Sequence, residues 1–254
     1  MTKWRVGDVT VTKIVELEVT GGSRFILPQA TREAILPIGW LQPDFADEEG
    51  RLRMSIHALV VETPSRHIIV DTCLGNDKEN RRIPTWNNLQ TSFLGDLAAA
   101  GYSRETIDTV VCTHLHVDHV GWNTVLVDGH WAPTFPNARY LMGRVEYAHW
   151  SSRHGRADMA AVLADSVTPV WEAGLVDLVE ADHRICEENQ PCADPWTYAR
   201  ACQRADRLAG RGGSDHWRLH APSLPDRSPG MVVDRGQRCG RGTADARAHV
   251  DPPR

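Results

Sequence analysis

The most informative part of the sequence is Thr113-His114-Leu115-His116-Val117-Asp118-His119. Three imidazoles and one carboxylate lie within six positions, and such side chains suit Zn, Mn or Fe at neutral pH. His114 and His116 are two residues apart, so an extended backbone directs both to the same side. Asp118 and His119 follow where the chain turns, which lets them face a second ion. The spacing favours a metal site over a set of unrelated surface and core histidines.

Periodic segments on both sides of this run predict an α/β protein. Apolar runs and alternating patterns predict strands, and apolar residues at 3–4 spacing predict helices. The predicted strands are a hairpin over residues 3–18, then 55–62, 67–71, 108–112, 138–142, 175–180 and 183–186. The predicted helices cover residues 93–100, 144–150 and 157–173. The polar residues 74–89 are predicted to form a long surface loop.

The run T-H-L-H-V-D-H-V-G at residues 113–121 resembles the HxHxDH signature of the metallo-β-lactamase superfamily. Residues 55–58 and 68–72 resemble that family's early β-region, and residues 135–140 resemble the strand after the motif. The resemblance covers about residues 4–188 and is closest in character to the lactonase and organophosphate-hydrolase branch. It implies an αββα sandwich, here incomplete at the C-terminus.

The resemblance also implies a function and a set of metal ligands. His114 and His116 would bind the first ion, and Asp118 and His119 the second. The family's ions are two zinc ions, with Mn or Fe as alternatives. A metal-bound hydroxide would attack an ester, a lactone or a related small substrate, and Asp118 would orient the nucleophile and shuttle a proton. Thiolesters, β-lactams and phosphotriesters remain open as substrates, because the fold does not fix the substrate.

Five further residues carry weaker predictions. Asp71 ends a predicted strand near the site, where it either orients a metal ligand or caps a turn. His57 alternates with apolar neighbours, which favours a core histidine. Trp86, Trp122 and Trp150 either wall an apolar pocket or simply pack in the core.

The composition changes sharply after residue 188. Residues 189–254 contain no Ile, Phe, Lys or Glu, and only six of these 66 residues are Leu or Val. Such a segment buries too little apolar surface to offset the entropy lost on ordering. The P-G-H and T-G-D motifs that supply the family's remaining ligands are also missing. We therefore predict a metallo-β-lactamase-like domain over residues 1–188 and an atypical Arg/Pro/Gly-rich tail over 189–254, disordered or frame-shifted.

A shifted reading frame would explain both the composition and the missing motifs. With permitted codons read one base later, residues 193–207 can encode P-T-P-G-H-T-P-G-H-V-S-V-R-I. Residues 215–222 can likewise encode I-T-G-D-F-M-H. Because tryptophan has a single codon, Trp196 and Trp217 must each become Gly, and both fall where the motifs require Gly. If instead the tail is native, Asp215, His216 or His220 would have to replace the missing ligands.

The overall composition narrows the classes of partner. A net charge of −5 and a pI near 6.2 argue against nucleic acid or an anionic membrane surface as a standing partner. No leader-like or membrane-spanning apolar run is present, and the six cysteines show no CxxC spacing. We expect a cytoplasmic enzyme acting on a small molecule; the oligomeric state is left open. The alternatives are a non-catalytic, frame-shifted remnant with weak metal binding and a histidine-rich metal sensor.

Overall fold

A seven-stranded mixed sheet forms the centre of the computed structural model, which describes residues 2–152 and 157–185. Its strands, in spatial order, are β1 (Thr2–Val6), β2 (Val9–Thr20), β3 (Arg53–Glu62), β4 (His67–Val70), β5 (Thr109–Cys112), β8 (Arg139–Gly143) and β9 (Val176–Val179). A separate two-stranded sheet pairs β6 (Thr124–Val127) with β7 (His130–Pro133). Together with the helices, this arrangement confirms the predicted α/β class.

The first four strands form an antiparallel meander. β1 and β2 pair across Gly7-Asp8, so the predicted hairpin is confirmed. Between β2 and β3 the register shifts, because Val15 pairs with His57 and Leu17 pairs with Ile56. One residue of β2, Glu16, therefore has no partner on β3, which is the signature of a β-bulge.

From β4 onward the sheet is parallel, because β4 pairs with β5, β5 with β8 and β8 with β9 in the same direction. The run Thr-Val-Val-Cys of β5 is buried along its whole length, as expected for a central strand of a parallel sheet. The carboxyl ends of β4 and β5 meet at one edge of the sheet, and the histidine-rich run leaves β5 at that edge.

In the described ranges, 2–152 and 157–185, six short α-helices accompany the sheet. They are α1 (Arg32–Ile35), α2 (Phe93–Ala99), α3 (Val117–Val120), α4 (Arg144–Ser151), α5 (Ala157–Val162) and α6 (Thr168–Glu172). Gly101 follows α2 with a φ of 100°, a left-handed conformation that glycine adopts without strain. The predicted helix over residues 157–173 is one helical segment in which a π-helical turn, Leu163–Val167, separates α5 from α6.

The sheet carries apolar side chains on both faces, as alternation along each strand requires. One face packs Ile69, Val110 and Tyr140 against helix residues such as Phe93 and Leu97. The opposite face carries a smaller apolar strip, formed by Ile68, Val70, Val111, Leu141 and Val179. Both faces are therefore built for burial, as in a layered α/β architecture.

Three sequence predictions need correction or completion. Residues 74–89 form a loop, as predicted, but this loop is not confined to the surface, because Leu74 and Lys78 are fully buried within it. Residues 183–185 form no strand, so that prediction is wrong for the described part of 183–186. The β6–β7 hairpin and the helical segment between β2 and β3 are additional elements that the sequence analysis missed. The predictions for residues 189–254 lie outside the described residues.

None of the helices in residues 2–152 and 157–185 is both long and apolar enough to cross a lipid bilayer.

Candidate metal centre

The predicted ligands lie where β5 ends and α3 begins. His114 and His116 follow β5, and His116 is the residue immediately before α3, where its backbone is extended. Asp118 and His119 lie within α3, and the backbone N–H of His119 donates to the carbonyl of His116 at 3.0 Å. The change from strand to helix therefore brings together side chains that are up to five positions apart.

Three imidazole rings meet at this point. The ring centroids of His114 and His116 are 4.3 Å apart, and those of His114 and His119 are 3.9 Å apart. His114 and His116 are both buried. The side chain of Asp118 lies beside His119, with its Oδ2 at 3.4 Å from Nε2 of His119. The structure thus brings all four predicted ligands into one cluster.

Asp71 supports the cluster from the end of β4. Its Oδ1 accepts a hydrogen bond from the backbone N–H of Thr113 at 2.8 Å. Its Oδ2 is 2.7 Å from Nδ1 of His119, so the imidazole donates to the carboxylate from this nitrogen. A carboxylate bonded to Nδ1 fixes the ring and leaves Nε2 for a metal, which is how ligating histidines are generally oriented. The predicted orienting role of Asp71 fits this geometry better than a turn cap.

The electrostatics of the cluster follow from burial and from the two carboxylates. Burial lowers the pKa of His114 to about 4, and the neighbouring His119 adds to that effect. Burial also acts to lower the pKa of His119, but the charges of Asp71 and Asp118 outweigh it and raise this pKa to about 10. The same attraction from His119 overcomes the burial of Asp118 and lowers the pKa of its carboxyl. A neutral imidazole and an ionised carboxylate are the forms that bind metals, so an ion bound at His119 would displace the proton that the two carboxylates favour there.

The donor set suits a divalent transition-metal ion, although it does not complete one. Two ligands with bonds of about 2.0–2.1 Å to a tetrahedral zinc ion lie roughly 3.3 Å apart. The 3.4 Å between Asp118 and His119 matches that separation. Within residues 2–152 and 157–185, however, no three His, Cys, Asp or Glu side chains form a ready cage for an ion. The cluster is therefore a partial site, as expected where the family's later ligands come from another part of the chain.

A buried acid that the sequence analysis did not single out supports the histidine-rich run from a second side. Glu146, in the first turn of α4, accepts from the backbone N–H of Leu115 at 3.1 Å and from the indole N–H of Trp150 at 2.6 Å. The ring of Trp150 in turn packs edge-on against His116, with centroids 5.3 Å apart. Nothing in the local sequence marks Glu146 as buried, because its partners are distant in sequence or share its helix.

The weaker predictions have varied outcomes. His57 is half-buried on β3, and its Nδ1 lies 3.1 Å from the hydroxyl of Ser55. Burial, reinforced by Lys13, lowers the pKa of His57. Trp122 and Trp150 are both buried in the main core, which supports packing over a role as pocket walls. Trp86 is only partly exposed in a 3-10 turn.

Comparisons with known proteins agree with this architecture. The sequence profile of the metallo-beta-lactamase superfamily matches residues 52–183, which include β3 to β9 and the whole histidine-rich run. No curated protein sequence matches the chain.

Several solved structures share the fold. The crystal structure of AbOPH, a hydrolase in the beta lactamase superfamily, is similar with 22% identity and a TM-score of 0.52, covering 72% of this chain and 62% of that protein. A probable metal-dependent hydrolase from Staphylococcus aureus gives 17% identity and a TM-score of 0.52, covering 72% and 63%. AidC, a dizinc quorum-quenching lactonase, gives 20% and 0.51, covering 72% and 62%. In each case the chain spans less than two thirds of the solved protein's length.

Proposed function

The chain belongs to the metallo-β-lactamase superfamily, and we propose that it is a metal-dependent hydrolase of an ester, a lactone or a related small molecule. The observation that carries the proposal is the convergence of three imidazoles and the Asp118 carboxylate at the carboxyl end of β5. The carboxylate of Asp71 holds one of those imidazoles by Nδ1. This combination suits ion binding far better than it suits packing, since imidazole and carboxylate groups are seldom buried together without a partner.

We assign the four clustered side chains as ligands of two ions. His114 and His116 would hold one ion, while Asp118 and His119 would hold a second. Zinc is the proposed metal, because imidazole and carboxylate are common zinc ligands and one relative of similar fold is described as dizinc. Manganese and iron suit the same donors and are the alternatives.

The chain's own residues would prepare the site for hydrolysis. A bound divalent ion supplies Lewis acidity and makes a bound water more acidic. Asp71 fixes the ring of His119, so that its Nε2 points toward Asp118. Asp118 carries a second carboxylate oxygen, which can orient a water molecule or carry a proton to a leaving group. Burial lowers the pKa of His114 to about 4, so this imidazole is neutral and able to bind at neutral pH.

The ester or lactone class rests on the relatives. AidC is described as a lactonase and AbOPH as a hydrolase. Their identity to this chain is low, so the shared fold supports the reaction class only as a proposal. An ester, a lactone or a related small molecule is therefore the proposed type of substrate.

One observation favours a second candidate, the non-catalytic remnant. The described residues supply two ligands for each proposed ion, whereas catalytic zinc usually has three protein ligands. No ready cage of three ligands occurs in residues 2–152 and 157–185. If the chain as sequenced has no further ligands, it will bind metal weakly and turn over little or no substrate.

Metal content and hydrolysis measured together separate these candidates. We expect the purified full chain to take up zinc, and His116→Ala and Asp118→Ala each to reduce that uptake, because each removes a donor atom. His130→Ala is the control, since His130 is exposed on β7 and takes no part in the histidine cluster. Zinc is measured by elemental analysis and turnover with a panel of lactones and esters. Unchanged zinc uptake in both variants would refute the metal site, whereas uptake without turnover would support the remnant.

A further inference from the structure

Glu16 is a partly buried acid with no place in the mechanism above. It is the extra residue of the β-bulge between β2 and β3, at the point where Val15 and Leu17 pair with consecutive residues. A bulge bends its strand and re-aims the side chain of the extra residue. The Glu16 side chain consequently reaches the segment that follows β4 and the segment that follows α3.

The carboxylate of Glu16 accepts four hydrogen bonds. Its Oε2 accepts from the backbone N–H of Leu74 at 2.6 Å. Its Oε1 accepts from the indole N–H of Trp122 at 2.6 Å, from the backbone N–H of Gly75 at 3.2 Å and from the hydroxyl of Thr91 at 3.2 Å. Two consecutive backbone N–H groups and an indole N–H form a typical anion-binding concavity, and here the anion is a side chain of the same protein.

The turn that Glu16 holds is the one that begins with Asp71. Asp71 and Cys73 both have positive φ values, 57° and 51°, a conformation that is strained for residues with a Cβ. Such a turn persists only if its surroundings fix it. Part of that fixation comes from α3, because Thr72 donates to the carbonyl of His119 at 2.8 Å. The rest comes from Glu16, which binds the last two N–H groups of the turn.

The turn and the metal-bearing helix touch along their backbones. A Cβ added to Gly121 would lie 1.8 Å from the carbonyl oxygen of Leu74, so the two backbone segments are in direct contact there. The N–H of Gly121 donates to the carbonyl of Cys73, and that of Trp122 donates to the carbonyl of Thr72. Any shift of the turn is therefore passed directly to the residues that follow Asp118 and His119.

Burial makes the carboxylate of Glu16 dependent on these donors. Burial raises the pKa of Glu16, while the hydrogen bonds from Leu74, Trp122, Gly75 and Thr91 oppose that rise. Loss of the donors would leave a charge in an apolar setting, which is strongly unfavourable. The carboxylate of Glu16 and the 71–75 turn that it binds therefore stabilise each other.

We propose that Glu16 is a positioning residue for the metal centre, which it acts on by clamping the 71–75 turn to Trp122. By this clamp it sets the distance between Asp71, which orients the His119 ring, and α3, which carries Asp118 and His119. The inference rests on the proposed metal site for its functional meaning. The geometric claim about His119 can nevertheless be tested without any metal.

Glu16→Gln changes little in volume but removes half of the clamp. A glutamine side chain has one acceptor oxygen, and its NH₂ group would face N–H donors instead of accepting from them. We expect the variant to fold and the His119–Asp71 hydrogen bond to lengthen or break. Glu62→Gln is the matched control. Glu62 is the last residue of β3, away from the bulge, and it accepts a hydrogen bond from the hydroxyl of Tyr102.

The decisive measurement is the ¹H–¹⁵N NMR signature of the His119 ring in the metal-free full chain. We expect Glu16→Gln to move the Nδ1 and Nε2 signals of His119, and Glu62→Gln to leave them in place. In parallel, the Kd for zinc is expected to rise about tenfold in Glu16→Gln and to stay constant in Glu62→Gln, as for other residues that orient a ligand. Loss of stability alone would not move the His119 signals of the folded protein.

A gentler variant covers the case in which Glu16→Gln does not fold. Trp122→Phe keeps an aromatic ring against Phe93, on which Trp122 stacks at 5.5 Å, but lacks the N–H that binds Glu16. The same shift of the His119 signals is expected, to a smaller degree. His119 signals that stay unchanged in the folded variants would overturn the proposal. If the wild-type chain binds no zinc, the proposed function fails, and the metal-free spectra still decide the role of Glu16.

Discussion

Lys78 shows how much a single residue can depart from its usual environment. Its amino group is fully buried and donates to the hydroxyl of Thr124 at 2.6 Å. The nitrogen also lies 3.4 Å from the centre of the Trp131 ring. The only carboxylate it approaches within 4 Å in the described residues, that of Asp165 at 3.8 Å, is shared with Arg81. Two buried cations thus face one anion, and burial, only partly offset by Asp165, lowers the pKa of Lys78 to about 7.

This pKa predicts a particular dependence of stability on pH. The unfolded chain keeps a lysine protonated up to about pH 10.4, whereas the folded chain releases this proton near pH 7. The unfolded state therefore binds more protons between these values, and Lys78 makes the free energy of unfolding rise with pH by up to about 1.4 kcal/mol per unit. Below pH 7 the lysine is charged in both states and the full cost of burying the charge applies.

Lys78→Met should remove that rise. We expect the wild type to gain stability relative to Lys78→Met as the pH is raised from 7 to 9, as measured by urea unfolding at each pH. Lys3→Met, which replaces an exposed lysine of β1, serves as the control. Stability curves of wild type and Lys78→Met that run parallel over this range would contradict the prediction.

At the scale of elements, the contact between the 71–75 turn and α3 depends on one missing methyl group. Gly121 packs against the backbone of Leu74, with no space for a Cβ. Gly121→Ala is expected to destabilise the fold by about 3 kcal/mol or more, since the obstructing atoms are backbone and cannot rotate away. The variant should also weaken zinc uptake, because separation of the two segments moves α3 away from Asp71.

A second glycine provides the control for that prediction. Gly95 lies inside α2, and a Cβ added there would contact nothing within 4 Å. Gly95→Ala should stabilise the protein by roughly 0.5–1 kcal/mol, because alanine loses less backbone entropy in a helix. Urea unfolding of both variants measures the contrast. A Gly121→Ala protein as stable as Gly95→Ala would show that the close approach is not tight.

Elements with strong periodicity could be predicted, and elements fixed by distant contacts could not. The D-T-V-V-C run predicts β5 because a central strand needs apolar residues on both faces. The β6–β7 hairpin could have been found from its Asp128-Gly129 turn, a typical two-residue hairpin turn. The depth of residues 74–89 could not, because polar side chains such as Lys78 are buried by partners far along the chain.

The candidate site likewise contains residues that the sequence predicts and residues that only the fold reveals. Its four predicted ligands share one short run, so their convergence follows from local spacing alone. Glu16 and Glu146 act through hydrogen bonds to residues brought close only by the fold, and an acid in a strand or helix gives no local sign of burial. The bulge that aims Glu16 is a shift in strand register, which no single-strand pattern reveals.

At the scale of the whole molecule, the second face of the sheet bears on the question of the reading frame. The strip of Ile68, Val70, Val111, Leu141 and Val179 is apolar and buried, as the inner face of a packed sheet is. An αββα sandwich covers such a face with a second sheet. A tail with six Leu and Val in 66 residues is a poor source of that sheet. The composition therefore supports the frame-shift hypothesis.

The hypothesis makes a prediction about DNA. The coding sequence read one base later from about codon 188 should encode a P-G-H loop, then a T-G-D segment, and an apolar, family-like C-terminus. Sequencing across codons 185–195 is the measurement, and the absence of an open shifted frame would end the hypothesis. A protein expressed in the shifted frame should bind two zinc ions tightly, whereas the present chain, with two ligands for each ion, should bind zinc more weakly.

The hydrogen bond between Glu16 and Trp122 joins residues 106 positions apart. During synthesis, the first hairpin leaves the ribosome long before the indole that its acid will bind. Closing so long a loop carries a large entropic cost, and folds rich in such contacts assemble slowly. The end of the sheet that carries the histidine cluster should consequently mature late, after the meander has formed, and a chain interrupted before residue 122 would lack the indole donor of the Glu16 carboxylate.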